Sequence, residues 1–200
     1  VPAKKTRFIT YCQRIAAILL LPAIIAIVAL MMKKDHQEPL IAYNEVTAPY
    51  GMVSSLTLPD SSKVWLNAGS TLKYPAAFTS NVREVEMSGE AYFEVHADKE
   101  HPFIVNTGDL KVTATGTAFN ICSFAKAQEE VITLVTGKVA VSQENNIKHL
   151  LPGQQLNYQR ASKSMEITDI DTYKYISWKD GILAFRDDPL KSIFNRLEQV

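Results

Sequence analysis

The run from Ile15 to Met32 constrains this chain more than any other feature: eighteen consecutive residues, all apolar apart from Pro22, with bases on both sides. At about 1.5 Å of rise per residue it spans roughly 27 Å as a helix, close to the hydrocarbon thickness of a bilayer. No polar face interrupts it, which sets it apart from an amphipathic core helix. A cleaved secretory signal, the alternative, has a shorter apolar centre of about 7 to 15 residues that ends in small residues. This run ends in Met31, Met32, Lys33 and Lys34, a stop sequence. The reading is therefore a membrane span over residues 15–32. Pro22 has no backbone donor and is expected to kink or loosen the span, either as a bend that membrane helices tolerate or as a weak point for intramembrane proteolysis.

Charge divides the chain at the same place. The 200 residues carry 21 Lys+Arg and 21 Asp+Glu, a balance that argues against direct nucleic-acid binding. The first 34 residues hold six bases (Lys4, Lys5, Arg7, Arg14, Lys33 and Lys34) and no acid, so the remainder holds 21 acids against 15 bases, a net of −6. Four bases precede the span, whereas Lys33 and Lys34 are quickly followed by Asp35 and Glu38. The N-terminus is expected to be cytoplasmic and the acidic bulk outside. Cys12 and Cys122, the two cysteines, then fall on opposite sides of the bilayer, so no disulfide framework is encoded and the outer part relies on its own core. The first residue is Val1 rather than Met, as in a piece of a longer protein.

Residues 35–48 have the mixed polar composition of a juxtamembrane linker. From Val53 onwards short β-type runs take over: Val53–Leu58, Lys63–Leu66, Val82–Met87, Ala91–Val95, Phe103–Val105, Lys111–Thr115, Phe119–Phe124, Val131–Val135 and Lys138–Val141. In the segment 89–95, Ala91, Phe93 and Val95 share one face and Tyr92 and Glu94 the other, the period of a strand. Trp65, Tyr74, Tyr92, Phe93 and Phe119 are expected in or beside the core. All eight glycines lie outside the apolar run, at 51, 69, 89, 108, 116, 137, 153 and 181, where they punctuate strands. Spacings near 20 residues hint at stacked rungs, although no motif repeats at a fixed period. The expected class is mainly β: a transmembrane helix, an all-β domain built as a sandwich or a solenoid-like stack of short antiparallel strands, and the beginning of a further α+β domain.

No site for catalysis emerges. His96, Asp98, Glu100 and His101, with Glu94 upstream, could in principle bind a metal, but Ala97-Asp98-Lys99-Glu100 is turn composition and Pro102 restarts an extended run. Glu84/Glu86 and Glu129/Glu130 lack a spacing that marks a glycosidase. No nucleophile elbow, P-loop or HExxH occurs. No cofactor is expected.

Several blocks resemble the periplasmic domain of FecR-type anti-sigma factors. The segment from Pro49 to Pro75, PYGMVSSLTLPDSSKVWLNAGSTLKYP, is similar to its opening. REVEMSGEAYFEV (83–95), PFIV (102–105), TGTAFNI (115–121), TLVTGKV (133–139) and LPGQQ (151–155) follow in the family's order. Residues carrying the motif are Gly51, Asp60, Trp65, Leu66, Asn67, Gly89, Glu90, Phe93, Gly116, Phe119, Gly137, Pro152 and Gly153. Ser61 departs from the pattern, since the family usually carries Gly after Asp60. In the tail, Gly181–Arg186 reads as a strand and Asp187-Asp188-Pro189 as a helix start. Leu190, Ile193, Phe194 and Leu197 then form one apolar stripe. GILAFRDDPL (181–190) resembles the entry to the secretin/TonB short N-terminal-like domain of Bacteroidetes members.

These resemblances imply an organisation: 1–14 a cytoplasmic basic flank, 15–32 the transmembrane helix, 33–48 a linker, 49–172 the FecR-like periplasmic domain, and 173–200 the start of a truncated secretin/TonB N-terminal-like domain. They also imply a function. Such proteins are single-pass inner-membrane regulators in which a cytoplasmic segment, mostly upstream of Val1 here, binds an extracytoplasmic-function sigma factor. The periplasmic part takes a signal from the signalling domain of a TonB-dependent outer-membrane transducer, and site-specific proteases release the sigma factor. Trp178 and Phe185 are the expected transducer contacts. Two other classes stand beside this reading: a membrane-tethered β module that binds carbohydrate or an envelope assembly partner, and an anchored hydrolase.

Overall fold

The computed structural model describes residues 42–185 and, within the apolar run, Leu19, Leu20, residues 22–25 and Val28. Those positions of the run, Pro22 among them, are helical and exposed. The basic flank, the span's ends at Ile15 and Met32, and the helix expected after Asp187 lie outside the described residues. Among the described residues no helix is long and apolar enough to cross a membrane.

The strands are β1 (Tyr43–Thr47), β2 (Ser54–Thr57), β3 (Lys63–Leu66), β4 (Thr71–Pro75), β5 (Arg83–Glu94), β6 (Phe103–Asn106), β7 (Lys111–Ala114), β8 (Ala118–Ser123), β9 (Glu129–Thr136), β10 (Val139–Gln143), β11 (Asn146–Leu150), β12 (Gln154–Gln159) and β13 (Ser164–Asp169). They form one continuous hydrogen-bonded sheet with two halves. Sheet I runs β1-β4-β5-β6-β7-β10-β11 and sheet II runs β2-β3-β5-β8-β9-β12-β13, so the twelve-residue β5 belongs to both. Its first half, through Ser88, lies between β4 and β6. From Gly89 onwards it pairs with β8, and its last residues also pair with β3. Neighbours are antiparallel except β5 and β6.

The hairpin β2–β3 lies in sheet II, β4 and the first half of β5 pair in sheet I, and after β5 successive hairpins alternate: β6–β7 in I, β8–β9 in II, β10–β11 in I and β12–β13 in II. The chain therefore crosses between the halves seven times. Six of these crossings contain a glycine at positive φ, at 51, 69, 89, 116, 137 and 153. The spacing near 20 that suggested rungs is the length of one hairpin plus one crossing. The strands of each half follow in chain order, so the architecture is two packed layers in which hairpin rungs succeed one another, a sandwich and a stack at once. Gly89 shows why side chains are excluded: its φ is +105°, and a Cβ there would lie 2.7 Å from the Ser70 Cα, closer than packed atoms approach.

Alternation drives the layers together. Along β5, Val85, Met87, Ala91 and Phe93 turn inward and are buried. They join Leu66, Leu72, Phe103, Val112, Phe119, Ile121, Ile132, Leu134, Val141 and Leu156 in one core. Phe93 of sheet II stacks on Phe119 at 5.2 Å and meets Phe103 of sheet I at 6.1 Å, each such pair adding about 0.5–1.5 kcal/mol beyond burial.

The structure corrects several boundaries. The expected linker 33–48 contains β1, an edge strand paired with β4 from Tyr43/Pro75 to Thr47/Thr71. The runs Val82–Met87 and Ala91–Val95 are one strand, because Gly89 bends the chain between halves without breaking the ladder. Residues 182–185 form no strand: a helical turn α1 (Tyr173–Ile176) and a 3-10 turn (Ser177–Asp180) end at Gly181 in the left-handed conformation. The segment starts tied to that turn, with the Ile182 N–H donating to the Ser177 carbonyl at 3.1 Å.

Candidate functional site

Sheet II's outer face carries the densest set of functional-type side chains. Strand register places Trp65, Tyr92, Asn120, Thr133 and Gln155 side by side across β3, β5, β8, β9 and β12. Core residues flank the first four on both sides, and Leu156 follows Gln155, so the pleat sends these five outward. An outward polar row is ordinarily wet, yet Asn120, Thr133 and Gln155 are buried. Gln155 Nε2 donates to Thr133 Oγ1 at 3.1 Å. The Glu90 carboxylate, one pleat along from Tyr92, accepts from Asn67 Nδ2 at 2.8 Å and from Asn120 Nδ2 at 2.9 Å.

The tail packs on this row. Trp178 is 3% exposed and its indole Nε1 donates to Asn120 Oδ1 at 3.3 Å. The Lys179 ammonium lies 5.5 Å from the Tyr92 ring centre and 5.8 Å from that of Trp65, a cation–π arrangement. Burial, with the Glu94 and Asp180 carboxylates nearby, pushes the Tyr92 hydroxyl up to about 12. Packing thus runs across the boundary expected at 172/173. Trp178 is committed to the β domain, whereas Phe185 is 37% exposed and lines an open hollow of about 330 Å³ with Ile170, Tyr173 and Tyr175.

A second cluster closes the one crossing without glycine, residues 95–102. Arg83, at the start of β5, has a side chain only 4% exposed. Its guanidinium donates to Asp60 Oδ2 at 2.6 Å, to the His101 carbonyl at 2.8 Å and to the His96 carbonyl at 3.0 Å. Asp60 also accepts from the Ser62 N–H and hydroxyl. This fixes the three-residue loop 59–61, closed by Ser61 at a φ of +70°, the position glycine ordinarily fills in such hairpins. In the crossing itself Asp98 accepts from the N–H groups of Glu100 and His101 and pairs with His101 Nδ1 at 2.8 Å. Those bonds hold its carboxyl down at about 2. His96, Asp98, Glu100 and His101 therefore form a capped turn, and among the described residues no group of His, Cys, Asp or Glu is arranged to hold a metal.

A third cluster surrounds Glu130, which is fully buried on β9. Thr107 Oγ1 donates to it at 2.5 Å and Arg160 Nη2 at 3.2 Å. Arg160 also reaches Asp109 and the carbonyls of Phe124 and Ala127. Burial pushes the Glu130 carboxyl above its usual range against the pull of Thr107, Ser123 and Arg160.

The motif residues sort by these places. Leu66, Phe93 and Phe119 are core. Gly51, Gly89, Gly116, Gly137 and Gly153, with Pro152 beside the last, sit at crossings. Asp60 anchors Arg83, and Asn67 and Glu90 join Asn120 near Trp65 on sheet II's outer face. Asn120, Arg83, Glu130 and Arg160 have key roles that sequence reasoning did not assign; a lone Arg at a strand start gives no signal of what it will hold. The clusters use their polar groups on one another and so brace the hairpin loops, the crossings and the tail.

Comparison with known proteins agrees with this scaffold. Residues 44–148 match the family model described as FecR protein. A crystal structure of a chain from Parabacteroides distasonis ATCC 8503, described as a candidate anti-sigma factor and solved at 2.50 Å, is 34% identical with a TM-score of 0.74, covering 79% of this chain and 74% of that one. Another of the same description at 1.65 Å is 35% identical with a TM-score of 0.74, covering 78% and 74%. No curated protein matches. A family match over more than half of the chain, on a sandwich shared with those structures, places it: the chain belongs to the FecR protein family.

Proposed function

We propose that this anti-sigma factor works as a single-pass inner-membrane relay, with its β sandwich in the periplasm and its N-terminus in the cytoplasm. The observation that carries the reading is the order of parts in one chain: a base-flanked apolar run of eighteen residues, then the FecR match over 44–148. A run long enough to span a bilayer, followed by a scaffold whose polar clusters bond among themselves, suits a device that couples two binding events. The cytoplasmic partner is an extracytoplasmic-function sigma factor, held by a segment mostly upstream of Val1. The outer partner is the signalling domain of a TonB-dependent transducer, which meets the tail around Phe185, beside the hollow that Ile170, Tyr173 and Tyr175 line. Site-specific proteolysis then frees the sigma factor.

The experiment is capture of sigma factors of the same cell by the full-length protein in detergent, with the purified transducer signalling domain added in a second arm. Retention of one sigma factor and binding of the signalling domain are expected, and Phe185→Ala weakens the second without touching the first. A folded bait that holds no sigma factor overturns the relay. Unchanged transducer binding by Phe185→Ala overturns the docking site. The carbohydrate-binding alternative has less support, because Lys179 covers Trp65 and Tyr92, the aromatic pair a sugar would stack on.

A further inference from the structure

The two halves end in four edge strands, β1 and β11 in sheet I, β2 and β13 in sheet II. Three carry charge of one sign: Glu45 on β1, Lys148 on β11, Glu166 and Asp169 on β13. β2 carries none, and no charged residue occurs from Val46 to Pro59. Charges on an edge guard it against pairing with another chain, so β2 is the unguarded edge among the described strands.

Its free hydrogen-bonding groups follow from the hairpin register. The Leu58 N–H donates to the Ser62 carbonyl at 2.8 Å. Two residues further on in each step, Leu56/Val64 and Ser54/Leu66 are then the pairs bonded to β3. The N–H and C=O of Ser55 and Thr57 point the other way, to the open side. Leu56 packs against the core from this edge, while Tyr50, Met52 and Val53 just ahead of it are exposed.

The charge pattern selects the occupant. In an isologous pairing a strand faces its own symmetry mate, so an edge with charge of one sign confronts the same sign, which destabilises the pair. β2 alone of the four escapes that penalty. We propose that two copies of this chain associate through β2, antiparallel about a two-fold axis at Ser55. Ser55 faces Ser55 of the second copy and Val53 faces its Thr57, and sheet II continues across the dimer. The exposed Val53 and Met52 side chains gain cover at the junction. This inference does not depend on the relay reading: sigma-factor capture and signalling-domain binding report on that one, self-association on this.

The test is sedimentation of the full chain in detergent micelles over a range of concentrations. A reversible dimer is expected. Ser55→Pro deletes an N–H that faces away from β3 and so spares the internal ladder, while Thr57→Lys leaves the backbone untouched and places like charges about the axis. Each should raise the dimer dissociation constant by about tenfold or more, with unchanged circular dichroism. Any association through the apolar run is common to all variants. In a Cys12→Ser, Cys122→Ser background, Ser55→Cys should oxidise to a covalent dimer, because facing strand residues lie about 5.5 Å apart at Cα, within disulfide reach; Ser164→Cys on β13 should not. A chain that stays monomeric, a dimer that Thr57→Lys leaves unaltered, or a Ser55→Cys protein that forms no covalent dimer overturns the proposal.

Discussion

Replacing Arg83 with alanine should cost the sandwich about 3–5 kcal/mol, the usual penalty for breaking a buried ion pair from one side. The structure shows where that sum arises. Asp60, with a side chain only 9% exposed, loses its 2.6 Å partner. The carbonyls of His96 and His101 lose donors at 3.0 and 2.8 Å, and bonds from a charged donor contribute about 1.5–3 kcal/mol each. The effects are not additive, since these acceptors, with the Asp98 carbonyl at 3.4 Å, belong to one network. Arg83→Lys should recover part of the loss, because an ammonium satisfies Asp60 but cannot fork to both carbonyls. Arg83→Met with Asp60→Leu should cost less than Arg83→Ala alone, as it strands no charge. Urea unfolding of the full chain in detergent reads these differences through Trp65 and Trp178, the two tryptophans. A loss below about 1 kcal/mol for Arg83→Ala, typical of a surface pair, would refute the claim that this guanidinium holds the glycine-free crossing.

Other substitutions test other parts of the same account. Gly89→Ala should destabilise by at least about 3 kcal/mol, from positive φ and collision with Ser70 together, measured as a fall in urea midpoint or failure to accumulate folded protein. Ser61→Gly should stabilise by about 1 kcal/mol, since glycine accepts the left-handed backbone that serine strains to adopt, and a higher melting temperature reports it. Trp178→Phe should cost about 1 kcal/mol by orphaning the Asn120 carbonyl oxygen, with faster protease cleavage near residue 178 as the readout. pH separates two carboxylates. Glu130 is raised above its ordinary 4.5, so the folded state binds more protons than the unfolded one and stability falls as pH rises through and above 4.5; Glu130→Gln should flatten that fall. Asp98, held at about 2 against an ordinary 3.8, contributes above pH 3.8 and is lost as pH drops towards 2, an acid limb that Asp98→Asn should remove in thermal melts.

Legibility followed burial. Strands such as β3, β6 and β8 stand out because Val64–Leu66, Phe103–Val105 and Phe119–Ile121 are short runs of β-branched, aromatic and large apolar residues whose alternate members are buried. β1, β11 and β13 are edge strands with mostly exposed residues, so tertiary pairing rather than local pattern makes them strands. β5 read as two runs because glycine usually ends a strand, and only the second layer shows why it continues. The motif blocks pointed to the family, and their glycines to turns. Neither revealed that Asn67 and Glu90 would converge with Asn120, which lies 30 residues beyond Glu90, nor that Trp178 would complete the group. Contacts between residues so far apart depend on register, and a single sequence does not display register.

The alternation of hairpins between layers has a thermodynamic consequence. Because β5 is shared and the chain crosses between the halves seven times, neither half is one contiguous stretch of chain that could melt while the other persists. Such interleaving favours one all-or-none transition over staged opening. A stimulus acting on this domain would then leave the sandwich intact and displace it as a single body. Force applied at the tail would reach β1 with little lost to internal slack.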